Sequence, residues 1–169
     1  MPKTHRRWWI PVTLGAWVLS CVAAYGALWS YANTPGDLGG PRHAWLRAAS
    51  LHVDDDRPTL IMFAHPRCPC TRASMSELER LQGEMPGAFA TRVVFFEPLG
   101  ADESWRQTSL WDRALRLPDA QAIPDSGGEF ASAAGAIVSG SVALLSADRK
   151  LKYWGGITPA RGHEGASVG

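Results

Sequence analysis

The sequence predicts an α/β sandwich preceded by one N-terminal transmembrane helix. Short apolar runs alternate with amphipathic helical stretches, and a hairpin turn separates the last two runs, so the predicted order is β-α-β-α-β-β. The helix is predicted because no charged side chain occurs between Arg7 and Asp37. With 169 residues, 46% of them apolar, the chain has material for one globular domain of ordinary size.

The N-terminal segment has the composition of a membrane anchor. Residues 8–29 are predominantly apolar, and these 22 residues, at about 1.5 Å each, span a hydrocarbon core of about 30 Å. Basic residues precede the segment and acidic residues follow it, which places the N-terminus in the cytoplasm. A cleaved signal peptide with a lipidated Cys21 stays open, although the apolar run continues beyond it. Either interpretation puts the domain in a bacterial periplasm, and the anchor interpretation makes the protein single-pass in the inner membrane.

Composition divides the chain into five predicted parts. These are a basic cytoplasmic tail (1–7), a transmembrane anchor (8–31), a linker and lead-in (32–57), a globular domain (58–165) and a C-terminal end (166–169). Three of the 17 basic residues lie in the tail, which leaves 14 against 16 acidic residues elsewhere. That balance provides no electrostatic footprint for nucleic acid, so we expect no nucleic-acid partner.

The globular part opens with a strand and a helix. Residues 59–64 form a continuous apolar run typical of a buried strand. Residues 71–81 are predicted as an amphipathic helix ended by glycine and proline, with Met75, Leu78, Leu81 and Met85 at helical spacing. A second buried strand is predicted over 92–96.

The second half is predicted as helices, a turn and a hairpin. Residues 104–117 predict a helix capped by Ser104, with Trp105, Trp111 and Leu115 on one side. The other predicted elements are a short helix over 43–50, a turn over 124–128, a short helix over 129–134, and hairpin strands over 142–145 and 151–154.

Cys68-Pro69-Cys70 lies at the turn between the first strand and its helix. The thiolate is the nucleophile and the metal ligand, and the N-terminus of a helix favours that negative form. In an oxidising compartment a disulfide across one residue stabilises little, because it closes almost no loop. Redox or metal chemistry is therefore expected of this pair, with positive charge from Arg67 and Arg72 favouring the thiolate.

The residues around this turn resemble the membrane-anchored TlpA/ResA-like branch of the thioredoxin superfamily. Residues 63–78 align without gaps to its pattern Phe-Trp-Ala-x-Trp-Cys-x-Pro-Cys-Arg-x-Glu-x-Pro-x-Leu, with Cys68 on the attacking cysteine. Thr71, rather than Cys70, falls on the second cysteine. The stretch 65–74 is more similar still to thioredoxin-like proteins labelled RedB, and the resemblance covers roughly residues 58–165.

This resemblance implies a thioredoxin-like sandwich whose final helix is short or absent. It also implies an oxidoreductase in which Cys68 attacks, with a periplasmic protein thiol or disulfide as partner and no cofactor. As a dithiol couple, Cys70 resolves the mixed disulfide. If the helix forms as in the relatives, Cys70 points away from Cys68 and Cys68 works alone through mixed disulfides, and both alternatives stay open. The superfamily carries a cis-proline where this sequence has Ser139-Gly140-Ser141. Gly140 is expected to supply an unusual backbone conformation there instead.

Two other functions stay open at this point. Two thiolates one residue apart suit a soft ion such as Cu(I), with His65 or His163 as a third ligand, so copper binding or delivery is one of them. The other is a non-catalytic interaction domain on the same scaffold. A disulfide across one residue would be strained and hence easily exchanged, which favours the redox hypothesis.

Overall fold

The computed structural model describes residues 8–34, 39–41, 45 and 53–158. The chain divides into two units, Met1–Pro35 and Gly36–Gly169. In the first unit one helix is described, α1 (Trp9–Asn33), which buries none of its residues. Its length and apolar composition suffice to cross a membrane, a test that signal sequences also pass.

The second unit alternates strands and helices around one mixed sheet. Its elements are β1 (Thr59–Ala64), α2 (Pro69–Glu84), β2 (Ala90–Glu97), a 3-10 turn (Glu103–Trp105), α3 (Ser109–Arg116), β3 (Ala120–Ser126), α4 (Glu129–Ala134), β4 (Ser141–Leu145) and β5 (Leu151–Gly156). The strand order is β3-β2-β1-β4-β5. Strands β1, β2 and β3 are parallel, whereas β4 and β5 run antiparallel to their neighbours. The α/β class is confirmed, with one strand more than the sequence indicated.

The central strand β1 is buried along its whole length and divides the core in two. Leu60 and Met62 pack on one face with the apolar sides of α2 and α3. Ile61 and Phe63 pack on the other face with α4 and Trp45. A strand covered on both faces reads as an unbroken apolar run, which is why the sequence located it residue for residue.

The helix predicted over 104–117 is two shorter elements. Asp102 caps the 3-10 turn, and its carboxylate accepts the Ser104 N–H at 2.9 Å, so the predicted capping role of Ser104 is wrong. The Thr108 hydroxyl caps α3 by accepting the Trp111 N–H at 3.2 Å. Asp102 and Thr108 can each cap the start of a helix, but only the residues after Thr108 form an α-helix.

Two residues predicted for buried helix faces are exposed. Met85 is 44% exposed because it lies beyond the last residue of α2. Leu115 is 58% exposed because Leu110 and Ala114 are the residues of α3 that face the core.

Strand β3 lies partly where the sequence predicted a turn. It pairs in parallel with β2, from Thr91 opposite Ala120 to Glu97 opposite Ser126. Pro124 within it argued against a strand, yet β3 is the edge of the sheet, where proline is tolerated.

Some predictions fall outside the described residues. The helix over 43–50 does so except for Trp45, which is helical and fully buried beside Phe63 and Phe130. The expectation that the final helix is short or absent, and the candidate ligand His163, concern residues 159–169, which are likewise outside them.

The carboxyl ends of β1, β2 and β3 share one edge of the sheet. The connections from these ends, residues 65–68, 98–108 and 127–128, begin at that edge, and residues 135–140 return to it before β4. Open α/β sheets usually place their functional sites at this edge, and the Cys-Pro-Cys turn is part of it.

Candidate active site at the Cys-Pro-Cys turn

Cys68 is the capping residue of α2. Its backbone is extended (φ −88°, ψ 127°), and its N–H donates to the His65 carbonyl at 3.1 Å. Pro69 follows at the first helical position, where a fixed φ and a missing N–H cost nothing. The Cys68 side chain is half-buried and, in the described structure, accepts no capping hydrogen bond.

Cys70 is the second residue of α2 and is exposed. Both residues of the pair are thiols in this structure. Side chains two residues apart do not face each other along a helix. A bond between the two sulfurs therefore requires the first turn of α2 to adjust.

Beneath the turn, three groups close a ring of hydrogen bonds. The His65 N–H donates to Ser139 Oγ at 2.8 Å, the Thr71 hydroxyl donates to the His65 carbonyl at 3.1 Å, and the two hydroxyls lie 2.6 Å apart. Since the Thr71 proton is committed to His65, the Ser139 hydroxyl donates to Thr71. This ring ties the end of β1 to α2 and to the loop before β4.

Thr71 occupies the position where the TlpA/ResA pattern has its second cysteine. It is fully buried, and both bonds of its hydroxyl lie within the ring. Cys70, next to it in sequence, is exposed. The second thiol of this chain therefore lies at the surface, and the buried side chain next to it in sequence carries a hydroxyl group.

Gly140 brings the loop before β4 against the end of β1. Its N–H donates to the Phe63 carbonyl at 2.7 Å with φ at +94°, a region that favours glycine. A Cβ atom there would lie 2.5 Å from Ser74 Oγ. The predicted unusual backbone conformation of Gly140 is confirmed.

The His65 ring forms a packed wall of the site. It stacks on Phe96 (centroids 5.6 Å apart, 15° between planes) and meets Trp105 edge-on at 5.9 Å. Its Nδ1 accepts the Arg67 N–H at 3.2 Å, so a neutral ring carries its proton on Nε2. Among the described residues, no three His, Cys, Asp or Glu side chains are grouped to hold a metal ion.

Arg67 is held over the ring of Trp105, with its guanidinium carbon 4.0 Å from the centroid, a cation–π arrangement. Trp105 is itself fixed, because its Nε1–H donates to the Phe96 carbonyl at 2.7 Å. The sequence predicts Trp105 on a helix face and does not reveal its contact with Arg67. No local pattern signals it, since the two residues come from different loops.

The loop that carries Trp105 is anchored to β2 by an ion pair. Arg106 forms two hydrogen bonds with the Glu97 carboxylate, at 2.9 and 3.0 Å. These bonds lower the pKa of Glu97. The Asp102 pKa is also lowered, first by the Ser104 hydroxyl and more weakly by the charge of Arg67.

No protein-family model and no curated protein matches the chain. Solved structures do match. An uncharacterized conserved protein from Geobacillus kaustophilus is 25% identical with a TM-score of 0.51, over 68% of this chain and 61% of that one. A hypothetical protein from Sinorhizobium meliloti is 18% identical with a TM-score of 0.51, over 82% and 80%. A thiol-disulfide oxidoreductase from Bacteroides fragilis is 23% identical with a TM-score of 0.49, over 63% and 77%.

The fold is thioredoxin-like. Its mixed five-stranded sheet has α2 and α3 on one face and α4 on the other, and the Cys-Pro-Cys turn follows the central strand. The chain spans about 61% of the length of the Geobacillus protein it matches. Fold alone does not determine activity, which depends on the residues of the site.

Proposed function

We propose that this protein is a membrane-anchored thiol–disulfide oxidoreductase of the periplasm, with α1 as an uncleaved anchor. One observation carries the redox function: Cys68 and Cys70 lie at the start of a helix, at the functional edge of a thioredoxin-like sheet. The length and apolar composition of α1 support the anchor. A place in the TlpA/ResA-like branch, beside RedB-labelled proteins, belongs to the same proposal and rests on residues 63–78.

In the proposed reaction the Cys68 thiolate attacks one sulfur of a partner disulfide. A mixed disulfide forms, and the other partner sulfur leaves as a thiolate. The Cys70 thiolate then attacks the Cys68 sulfur and expels the partner's remaining thiolate. The partner gains two electrons and this chain keeps a Cys68–Cys70 disulfide; with a dithiol partner the same steps run in reverse.

The two positions suit these two roles. Cys68 caps α2 and is close to the positive end of the helix, where a thiolate is stabilised. Cys70 is exposed, so it remains accessible while a partner is bonded to Cys68. The adjustment that a Cys68–Cys70 bond demands of α2 makes that disulfide an easily exchanged one.

Alkylation trapping in intact cells tests the assignment. The background variant is Cys21→Ser, so that Cys68 and Cys70 are the remaining thiols. We expect Cys70→Ser to accumulate a mixed disulfide with a partner protein, because its release step is lost. We expect Cys68→Ser to accumulate none.

Other outcomes would contradict the proposal. Thiols that are fully alkylated in every variant, with no partner trapped, would favour a non-catalytic interaction domain. Thiols that react only after a Cu(I) chelator is added would favour soft-metal binding. A partner trapped through Cys70 alone would reverse the two roles.

A further inference from the structure

The arginines of the globular unit fall into distinct groups by their partners. Among its described arginines, carboxylates pair with five: Arg57, Arg80, Arg106, Arg113 and Arg149. Arg92 is buried and donates to backbone carbonyls. Arg67 and Arg72 are exposed on either side of the Cys-Pro-Cys turn, and within the described part of the chain no ion pair involves them.

The position of Arg67 is held in advance of any encounter. Its guanidinium lies over Trp105, which is bonded to the backbone of β2. Asp102 lies close enough for Arg67 to contribute to its lowered pKa, but the carboxylate of Asp102 is bonded chiefly to Ser104. An arginine already ordered loses less side-chain entropy when it meets a carboxylate of another molecule.

Arg72 is a second exposed arginine near the start of α2. Arg72 follows Cys68 by four residues, the spacing that brings two residues to one side of a helix. The first turn of α2 contains no acidic residue. The helix N-terminus adds its own partial positive charge next to the Cys68 sulfur.

We propose that the basic patch formed by Arg67, Arg72 and the start of α2 selects partners whose reactive cysteine lies beside acidic residues. This inference rests on the proposed thiol–disulfide function and names its partner class. Carboxylates beside the partner disulfide meet the two guanidinium groups while the Cys68 thiolate attacks and the partner's other sulfur leaves as a thiolate. Complementary charge of this kind raises the association rate and orients the encounter.

Exchange kinetics with matched peptides test the proposal. The full chain, as the Cys21→Ser variant in a non-ionic detergent, is reduced and mixed with disulfide-linked peptides that differ only in the residues beside cysteine: Asp, Asn or Lys. We expect the acidic peptide to react about 5- to 10-fold faster than the neutral one at low salt, and the basic peptide slowest. We expect that difference to shrink in about 1 M salt, where charges are screened within about 3 Å.

Substitutions locate the effect. Arg67→Gln and Arg72→Gln should each slow the acidic peptide by about 2- to 5-fold more than they slow the neutral peptide, the range for exposed charge pairs. Arg116→Gln is the matched control, since Arg116 is also exposed but lies in the last turn of α3. Equal rates for the acidic and neutral peptides, or an equal loss in the Arg116 variant, would overturn the proposal.

Exchange with the neutral peptide distinguishes a failure of the proposed partner class from a failure of the proposed redox function. If it exchanges normally and peptide charge has no effect, the partner class is wrong and the redox function stands. If no peptide exchanges with the reduced chain, the proposed function fails and the partner class fails with it.

Discussion

At the scale of single residues, the ring that joins Thr71, Ser139 and the His65 backbone determines where the reactive turn lies. Each member belongs to a different segment, namely α2, the loop before β4 and the end of β1. Thr71 is fully buried, so solvent does not replace a bond lost there. The geometry around Cys68 therefore depends on hydroxyl groups that carry no thiol chemistry of their own.

Thr71→Val tests this dependence with nearly unchanged side-chain volume. It leaves the Ser139 hydroxyl and the His65 carbonyl each one bond short, so we expect a loss of about 1–3 kcal/mol in the free energy of unfolding. Urea denaturation measures that loss, and the rate of thiol–disulfide exchange should change with it. Thr71→Ser is the control because it keeps the hydroxyl. Equal behaviour of the two variants would show that the ring is dispensable.

The cysteines were recognisable in the sequence, whereas the groups that hold their turn were not. Cys68 and Cys70 follow an apolar run and precede an amphipathic helix, a local pattern. Ser139 and Trp105 contact the turn from distant parts of the chain. A single serine or tryptophan creates no sequence pattern that would predict such a contact.

At the scale of elements, short helices here depend on side chains outside them. α4 has six residues, and the Asp125 carboxylate on β3 accepts the N–H groups of Phe130 at 2.8 Å and Ala131 at 2.9 Å. A helix this short is not stable by itself. Its position against β1 therefore relies on this cap and on its apolar contacts with the core.

Asp125→Ala removes both capping bonds of α4. We expect it to cost about 0.5–2 kcal/mol of stability, as for other helix caps, measured by thermal or urea unfolding. Asp125→Asn keeps one carbonyl acceptor, so its stability should lie between that of the alanine variant and that of the native protein. A native-like stability for the alanine variant would be inconsistent with this role for Asp125.

The contact between β2 and the Trp105 loop is expected to weaken in acid. The Arg106 hydrogen bonds hold the pKa of Glu97 below its ordinary value of 4.5, so the folded state favours the carboxylate more than the unfolded chain does. Glu97 therefore stabilises the fold fully at pH values above 4.5, and this stabilisation is lost as the pH falls through the lowered pKa of Glu97. Neutral pH should therefore show the largest benefit of Glu97.

Unfolding midpoints of the native protein and Glu97→Gln over a pH series measure this linkage. We expect the native protein to have the higher unfolding midpoint at pH 7, and the difference between the two midpoints to narrow progressively below about pH 4.5. Glu103→Gln, an exposed change in the same loop, is the control. A gap for Glu97→Gln that does not vary with pH would refute the ion-pair explanation.

Elements were predictable where their own residues decide them. β1 was located residue for residue because its apolar run suffices, and α4 was located residue for residue because turn residues delimit it, although its stability depends on Asp125 outside it. β3 was missed because its polar, proline-containing sequence becomes a strand only by pairing with β2. The single helix expected over 104–117 was wrong because the chain has two capping residues here, Asp102 before the 3-10 turn and Thr108 before α3.

At the scale of the whole molecule, the N-terminal unit and the globular unit differ in where their apolar residues lie. Every residue of α1 is exposed in the structure, an arrangement that suits a lipid surrounding for so apolar a helix. The globular unit instead buries its apolar residues on both faces of a sheet.

Leu19→Arg places a charge near the middle of α1 and tests the anchor. We expect it to reduce membrane insertion, because arginine at the centre of a membrane helix costs about 2.5–3.5 kcal/mol. Alkaline carbonate extraction of cell membranes measures the retained fraction, with Leu19→Ala as the control. A mature protein whose mass shows that α1 has been removed would favour the signal-peptide interpretation instead.

The sequence by itself determined the apolar N-terminal helix, the buried strand β1 and the position of Cys-Pro-Cys where β1 gives way to the next helix, although α2 begins at Pro69 rather than at residue 71. These features depend on hydropathy and turn residues within a few positions of one another. Only the tertiary structure decided that Thr71 is buried while Cys70 is exposed, that β3 joins the sheet, and that Trp105 holds Arg67 beside the turn. The physical reason is that burial and hydrogen bonding at this site come from segments distant in the chain, and their meeting is set by packing rather than by local sequence.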